Sequence, residues 1–310
     1  MRFLMIDRIC ELEKGKSARG IKNISWNDDF LEEIFPGMPV VSSFVIAEAV
    51  AQLLSWIIVE AKDFTVKPVI TVVDSYSCNG HIQPGDQLEV VGSVESLSEE
   101  GALVHGKILL RGKPVIEINH AVCYLYPLSE LDPPERARMQ FKHLYVPGCP
   151  LPQTAQHPAS LMREEVPVYK RPWFDRITDD SQPARLVAIK NVTATEDYFN
   201  DHFPRKPILP GVVILEAQHS LARELVLRQL AERGLTGSFP VLCGAEKVKF
   251  RLFIQPGDQM LVEAAVKSFS DGQCFIATKV TVGGKNAASA LLHFDLTDRA
   301  SYTQKYILGR

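Results

Sequence analysis

The sequence predicts an α+β chain built from two similar units, each an antiparallel sheet wrapped round one long central helix. Three observations lead to this reading. The passage IDRI…IKNISWNDDFLEEIFPGMP from Ile6 lies against FDRI…IKNVTATEDYFNDHFPRKP from Phe174 at a constant offset of 168 residues, 6 to 174. A second block, HIQPGDQLEV from His81, matches FIQPGDQMLV from Phe253 at an offset of 172, 81 to 253. That period is far too long for a solenoid unit, so a whole domain is duplicated. The other two observations are one long, nearly continuous apolar segment per half, and three alternating apolar runs behind it.

Each half opens with a short apolar segment containing Asp-Arg-Ile, then a strand-like stretch and a Pro-rich loop. The long apolar segments, about 43–62 and about 211–232, are helical in length, and hydrophobicity on most sides predicts burial on most sides. The first carries Glu48, Gln52, Ser55 and Glu60 within a run barely long enough to span a bilayer, which predicts a helix buried in protein and no membrane insertion. The runs that follow, 86–97, 102–111 and 114–125, then 258–268, 273–282 and 286–296, are rich in Val, Ile and Leu. The turn signals SEEG, RGKP, SDGQ and GGKN separate them, so they read as antiparallel meanders. Between the halves, 128–165 holds Pro133, Pro134, Pro147, Pro150, Pro152 and Pro158 and reads as a linker, with PERARMQFKH as one short helix. The expected division is a first domain at 1–127, the linker at 128–165, a second domain at 166–300 and a tail at 301–310.

With 310 residues, 46% of them hydrophobic, the chain can bury a sizeable core, which argues against disorder. A formal charge of -3 and an isoelectric point near 6.3 argue against a surface built to hold nucleic acid. Six cysteines, at 10, 78, 123, 149, 243 and 274, form no Cys-x-x-Cys pair and no set with His at ligand spacing. Neither a disulfide framework nor a structural zinc site is expected, and a reducing, cytoplasmic setting is. The opening MRFLMIDRICE meets Asp7 and Glu11 too soon for a secretory leader.

The passage with most chemical content is HFPRKPILPGVVILEA, 202–217, because its near copy IFPGMPVVSSFVIAEA, 34–49, has Ile34 in place of His202. Together with the lead-in DYFNDHFP and the later KVKFRLFIQPGDQ, it resembles the signature of the hot-dog-fold (3R)-hydroxyacyl-acyl carrier protein dehydratases. The resemblance covers most of 170–297 strongly and 3–127 more weakly. It implies a double hot dog, two fused repeats packed as a pseudo-dimer, with each site built from the His of one unit and the acid of the other. Carried over position by position, one site pairs His202 with Glu48 and the other pairs Ile34 with Glu216.

Isoleucine can neither give nor take a proton, so the second site is expected to be degenerate. Gln52 stands one helical turn after Glu48, where i,i+4 side chains meet, whereas Glu216 is followed by Ser220. The implied chemistry is dehydration: His202 takes the C2 proton, and Glu48, kept protonated by apolar surroundings and held by Gln52, protonates the leaving hydroxide. Pro210 and Gly211 open a helix whose free N–H groups would meet the thioester oxygen; Ser43 is the counterpart of Gly211. No metal or redox cofactor is implied, the substrate arriving on the phosphopantetheine arm of an acyl carrier protein. The basic residues Arg205, Lys206, Lys247, Lys249 and Arg251, with Arg176, are the candidates for receiving that acidic carrier; Ser75, Ser77 and Asn79 stand at the first-half positions of Lys247, Lys249 and Arg251. Pairing of two such chains into a homodimer is a further expectation.

The sequence departs from the family pattern at Arg205, where Gly is usual, which narrows or recharges the mouth of the site. The histidines at 81, 105, 120, 143, 157, 219 and 293 show no partner pattern and read as structural or solvated. Competing readings are a non-catalytic acyl-binding or partner subunit and a hot-dog acyl thioesterase. Added double-bond isomerisation would depend on cavity shape, which the sequence leaves open, as it does chain length.

Overall fold

The computed structural model describes residues 3–34, 38–152, 173–270 and 272–308. The first half runs β1 (Arg8–Glu13), β2 (Ser17–Asn23), β3 (Leu31–Glu33), β4 (Pro39–Val41), α1 (Ser43–Ala61), β5 (Val66–Cys78), β6 (Gln87–Leu97), β7 (Gly101–Leu110) and β8 (Lys113–Pro127). Two short helices follow, α2 (Leu128–Leu131) and α3 (Pro134–Leu144). The second half runs β9 (Arg176–Gln182), β10 (Arg185–Asn191), α4 (Gly211–Glu232), β11 (Phe239–Phe250), β12 (Gln259–Ser270), β13 (Gln273–Val282), β14 (Lys285–Thr297) and α5 (Arg299–Tyr302).

Both halves share one twelve-stranded antiparallel sheet in the order β1-β2-β6-β7-β8-β5-β11-β14-β13-β12-β10-β9. The order is symmetric about the β5–β11 seam, where the halves join through main-chain hydrogen bonds. Register at the seam is symmetric too: Gly244 pairs with Ser77 and Lys249 with Val72, and these pairs exchange under the 172-residue offset, 72 to 244 and 77 to 249. This is the self-complementary geometry of a two-fold dimer, retained inside one chain.

β5 and β11 are the longest strand segments missing from the three-run pattern read in each half. Buried strands at a seam show mixed, not alternating, burial, so periodicity marks them poorly.

α1 and α4 lie inside the curl of the sheet, touch one another, and carry buried residues on nearly every face. α1 is apolar and long enough to cross a membrane, but 78% of its most apolar window is buried inside the protein, as expected for a core helix. Close helix–sheet approach depends on Gly106 in β7, where a Cβ would sit 2.5 Å from Val50 Cγ1 and 2.7 Å from the Val91 carbonyl. In the second half Gln218 and Thr278 occupy the matching positions and meet by a 3.0 Å hydrogen bond from Gln218 Nε2 to Thr278 Oγ1. A backbone contact in one half is thus a buried polar pair in the other.

Two expectations need correction. The segment 128–165 has its expected short helix, α3 over PERARMQFKHL, but its described part is packed on the first half instead of running free as a linker. α2 and α3 dock on the first half, with Phe141 of α3 against Trp56, Phe64 and Tyr145. Residues 153–165 lie outside the described residues. The cysteines, expected to be free, include a Cys10–Cys149 disulfide across 139 residues. The linker's end pairs with β1, Val146 N–H donating to the Ile9 carbonyl at 2.9 Å and Gly148 N–H to the Cys10 carbonyl at 2.9 Å, which brings the two Cα atoms to 4.9 Å. Sequence spacing carries no trace of this meeting, and the expected reducing compartment loses the support it drew from unpaired cysteines.

Replacing Gly106 with Ala should destabilise the protein by about 1–3 kcal/mol, because Val50 and the Val91 carbonyl are both fixed in packed elements. Urea unfolding should show a lower midpoint with an unchanged slope; a neutral substitution would mean that α1 does not press on β7 as described.

Candidate functional site

A cavity of about 470 Å³ opens between α1, the start of α4 and the β5–β11 seam. Glu48, Gln52, His202 and Gly211 all line it, so residues of both halves meet there. Ile34 and Glu216 do not line it.

His202 follows a short 3-10 turn, Asp197–Asn200, and its backbone N–H donates to the Tyr198 carbonyl at 2.8 Å. Its Nδ1 lies 2.9 Å from the Ile208 carbonyl. A carbonyl can only accept, so Nδ1 carries the proton and Nε2 keeps its lone pair. Phe203 stacks on the imidazole at 4.0 Å between centroids and Phe3 meets it edge-on at 5.8 Å. Burial pulls the His202 pKa down to about 4, opposed by the Ile208 carbonyl and aided by Lys67, so the ring is neutral at pH 7.

Glu48 sits in the second turn of α1, 8% exposed. Burial raises its pKa to about 7, against the opposing hydrogen bond from Gln52 and the charge of Lys67. Gln52 Nε2 donates to Glu48 Oε1 at 3.2 Å and to the Phe3 carbonyl at 2.9 Å, while its Oε1 accepts from Met5 N–H at 2.9 Å. The first described residues therefore strap Gln52 in place. Phe3 N–H also donates to Asp201 Oδ2 at 3.0 Å, and Arg136 of α3 reaches Asp201 at 3.2 Å and Asp132 at 3.1 Å. Opening strap, linker and the loop holding His202 form one connected network.

Gly211 is the first residue of α4, after Pro210. A Cβ there would come within 3.0–3.2 Å of the Phe250 ring, so the position is close-packed as well as cavity-lining.

At the other pair of positions, Ile34 packs with Met38, Val40 and Val241. Glu216 is 1% exposed; its Oε1 accepts from the Ser42 hydroxyl, and His219 Nδ1 lies 3.4 Å from its Oε2. His219, expected to lack a partner, has one because i,i+3 residues share a helix face. The buried carboxylate thus has polar partners from both halves. His157 lies outside the described residues.

Of the basic residues, Arg251 lines the cavity and donates to Ser289 Oγ at 3.0 Å, and Lys247 and Lys249 are exposed on β11. Arg205 is tied back to the Ser129 carbonyl at 2.7 Å, and the Lys206 ammonium lies over the Phe253 ring at 5.1 Å. Arg176 is the exception: it stands on the edge strand β9, five strands from β11, and does not belong to this cluster. Sequence reading missed Lys67, Phe3, Asp132 and Arg136, all of which line the cavity. For Lys67 a signal existed, since the 172-residue offset (67 to 239) sets it against Phe239 in the other copy.

The sequence profile of the FabA-like domain matches residues 1–119 and 173–290. Curated relatives include a 3-hydroxyacyl-[acyl-carrier-protein] dehydratase FabZ of Streptococcus mutans, 38% identical over 136 residues, 44% of this chain and 94% of that one. The enzyme of the same name from Listeria monocytogenes is 35% identical over 124 residues, 40% of this chain and 84% of that one. Among solved structures, the tesB protein of Mycobacterium avium subs paratuberculosis covers 95% of this chain and 98% of its own at a TM-score of 0.58 and 9% identity. The 12:0-ACP thioesterase of Umbellularia californica covers 91% and 94% at a TM-score of 0.52 and 11% identity. At such identities the likeness is one of fold: a double hot dog over nearly the whole chain.

Glu48 offers a test independent of any activity. Its folded pKa of about 7 lies above the ordinary 4.5, so the folded state holds a proton that the unfolded state has lost between those values, and stability falls as pH rises through that window. Glu48→Gln removes the penalty, so the variant should gain on the wild type by about 3 kcal/mol from pH 4.5 to above 7. Thermal melts at pH 5 and pH 8 read this; an equal difference at both would mean that Glu48 ionises freely.

Proposed function

The chain belongs to the FabA-like hot-dog family, and on that premise we propose that it dehydrates (3R)-3-hydroxyacyl thioesters to trans-2-enoyl thioesters at one site shared by its halves. The observation that supports this most is the meeting in one cavity of a neutral histidine from the second half and a near-neutral buried carboxyl group from the first. His202 Nε2 takes a proton from C2. The Glu48 carboxyl gives its proton to the C3 hydroxyl, which leaves as water while the C2–C3 double bond forms. The resulting imidazolium and carboxylate then exchange a proton through solvent. Gly211, at the start of α4, supplies the N–H and dipole for negative charge on the thioester oxygen.

One solved structure that shares this fold, that of Umbellularia californica, carries the name thioesterase. Hydrolysis needs a carboxylate that activates water, and Glu48, about half protonated at pH 7 and held by Gln52, suits proton donation better. Free thiol release from the same thioester separates the two activities.

His202→Ala and Glu48→Gln should each lower kcat for a 3-hydroxyacyl thioester by about 10²–10⁴. For the wild type, kcat/KM should hold between about pH 4 and pH 7, falling above 7 as Glu48 loses its proton and below 4 as His202 gains one. Full activity in either variant, or activity that rises through pH 8, sinks the assignment.

We further propose that an acyl carrier protein docks on the basic face of Lys249, Arg251 and Lys206. Reversing Lys249 and Arg251 to Glu should raise KM for a carrier-held substrate about tenfold, and leave KM for the same acyl group on N-acetylcysteamine near its wild-type value. Equal effects on both substrates would assign these residues to the cavity alone.

A further inference from the structure

Lys67 is a charge in the cavity with no acid bonded to it. It opens β5, lines the cavity, and lies 5.3 Å from the Trp56 ring and 5.7 Å from the Phe203 ring. Among the described residues it makes no ion pair and no hydrogen bond. The nearby acids are already engaged: Asp132 takes both oxygens to Arg136 at 3.1 Å, and Arg136 passes on to Asp201 at 3.2 Å. Glu48 has lost much of its charge to burial. Arg136 is offset by two aspartates, whereas the Lys67 ammonium is in contact only with the faces of two rings. Burial accordingly pulls its pKa below the ordinary lysine range, with Asp132 and Glu48 only partly opposing.

A second unmet group lines the same cavity. Ser55 lines the cavity, is 6% exposed, and its hydroxyl is buried without a hydrogen-bond partner. Glu48, Gln52 and Ser55 stand at i, i+4 and i+7 on α1, so Ser55 is about 10 Å along the axis from the proposed acid. Neither group is demanded by the fold. The counterpart of Lys67 is Phe239, which packs with Ile34 against the cluster of Met38, Val40 and Val241, so the degenerate site carries no ammonium at that position.

An alkyl chain filling this cavity would leave an ammonium and a hydroxyl unmet, at a desolvation cost it could not return. A carboxylate would satisfy both. The phosphate of a pantetheine arm is too distant, because Phe203 links Lys67 to the His202 ring within about 10 Å, the range of the acyl group itself.

We propose that Lys67 and Ser55 form an anion-binding subsite in the acyl cavity, and that the substrate is an acyl thioester whose chain carries a carboxylate beyond C3. This rests on the dehydratase reading for the reaction but not for the binding.

Two measurements keep the proposals apart. The 310-residue chain is given the N-acetylcysteamine thioester of an eight-carbon 3-hydroxy acid ending in a carboxylate, and its methyl-ended counterpart. Wild type should favour the carboxylate form at least tenfold in kcat/KM. Lys67→Met should bring that ratio near one, and Lys67→Arg should keep most of it. Equal kcat/KM for the two substrates in wild type overturns the subsite. So does an equal loss on both in Lys67→Met with the ratio kept, which would make Lys67 a partner of the thioester oxygen. Calorimetric binding of the eight-carbon thioesters lacking the 3-hydroxyl, one carboxylate-ended and one methyl-ended, is then compared in wild type and Lys67→Met. A carboxylate preference lost in the variant supports the subsite even where no dehydration is seen; absence of preference in binding overturns it whatever the activity.

Discussion

The antiparallel pairing of β5 with β11 is the constraint on which the rest of the structure depends. It closes two six-stranded sheets into one, and its register is symmetric under the repeat offset. Because the pairing relates the halves by a pseudo-two-fold axis, the loop that follows β10 in one half is brought to the central helix of the other. His202 and Glu48 share a cavity only as a consequence. No contact within a single half could assemble that pair.

Once two copies are fused, each equivalent position is free to change alone, and the asymmetry is concentrated at the cavity. His202 stands against Ile34, Gln52 against Ser220, Gly211 against Ser43 and Lys67 against Phe239. Glu216 kept its carboxylate but is held by Ser42 and His219, partners that satisfy a buried acid instead of leaving it open to a ligand. Similar drift reached the core, where Gly106 against Val50 became Thr278 against Gln218. The two halves thus keep one backbone while solving the same packing problem with different side chains.

Burial sets the electrostatics of the candidate site. The same desolvation that raises Glu48 to about 7 lowers His202 to about 4, since both lose by carrying charge in an apolar cavity. A proton donor and a proton acceptor therefore coexist, each in its neutral form, over the same pH range. The strap of Phe3 and Met5 and the docked linker helix α3 complete the enclosure, and each bonds to a residue next to one member of the pair.

The sequence alone determined the duplication, both long helices to within a residue or so, and the three-strand meanders, because offset, length and alternation are local patterns. It also singled out His202, Glu48 and Gln52, since a motif kept in one copy and altered in the other is visible without coordinates. Tertiary structure decided what depended on distant segments meeting. The bond between Cys10 and Cys149 joins residues 139 apart, the docking of Arg136 turned an expected linker into cavity wall, and Arg176 proved to lie on the far edge of the sheet. Lys67 belongs to this second group. Nothing in VKPVI marks its ammonium as unpaired, because a missing partner is a property of everything folded around a side chain and of none of its neighbours in the chain.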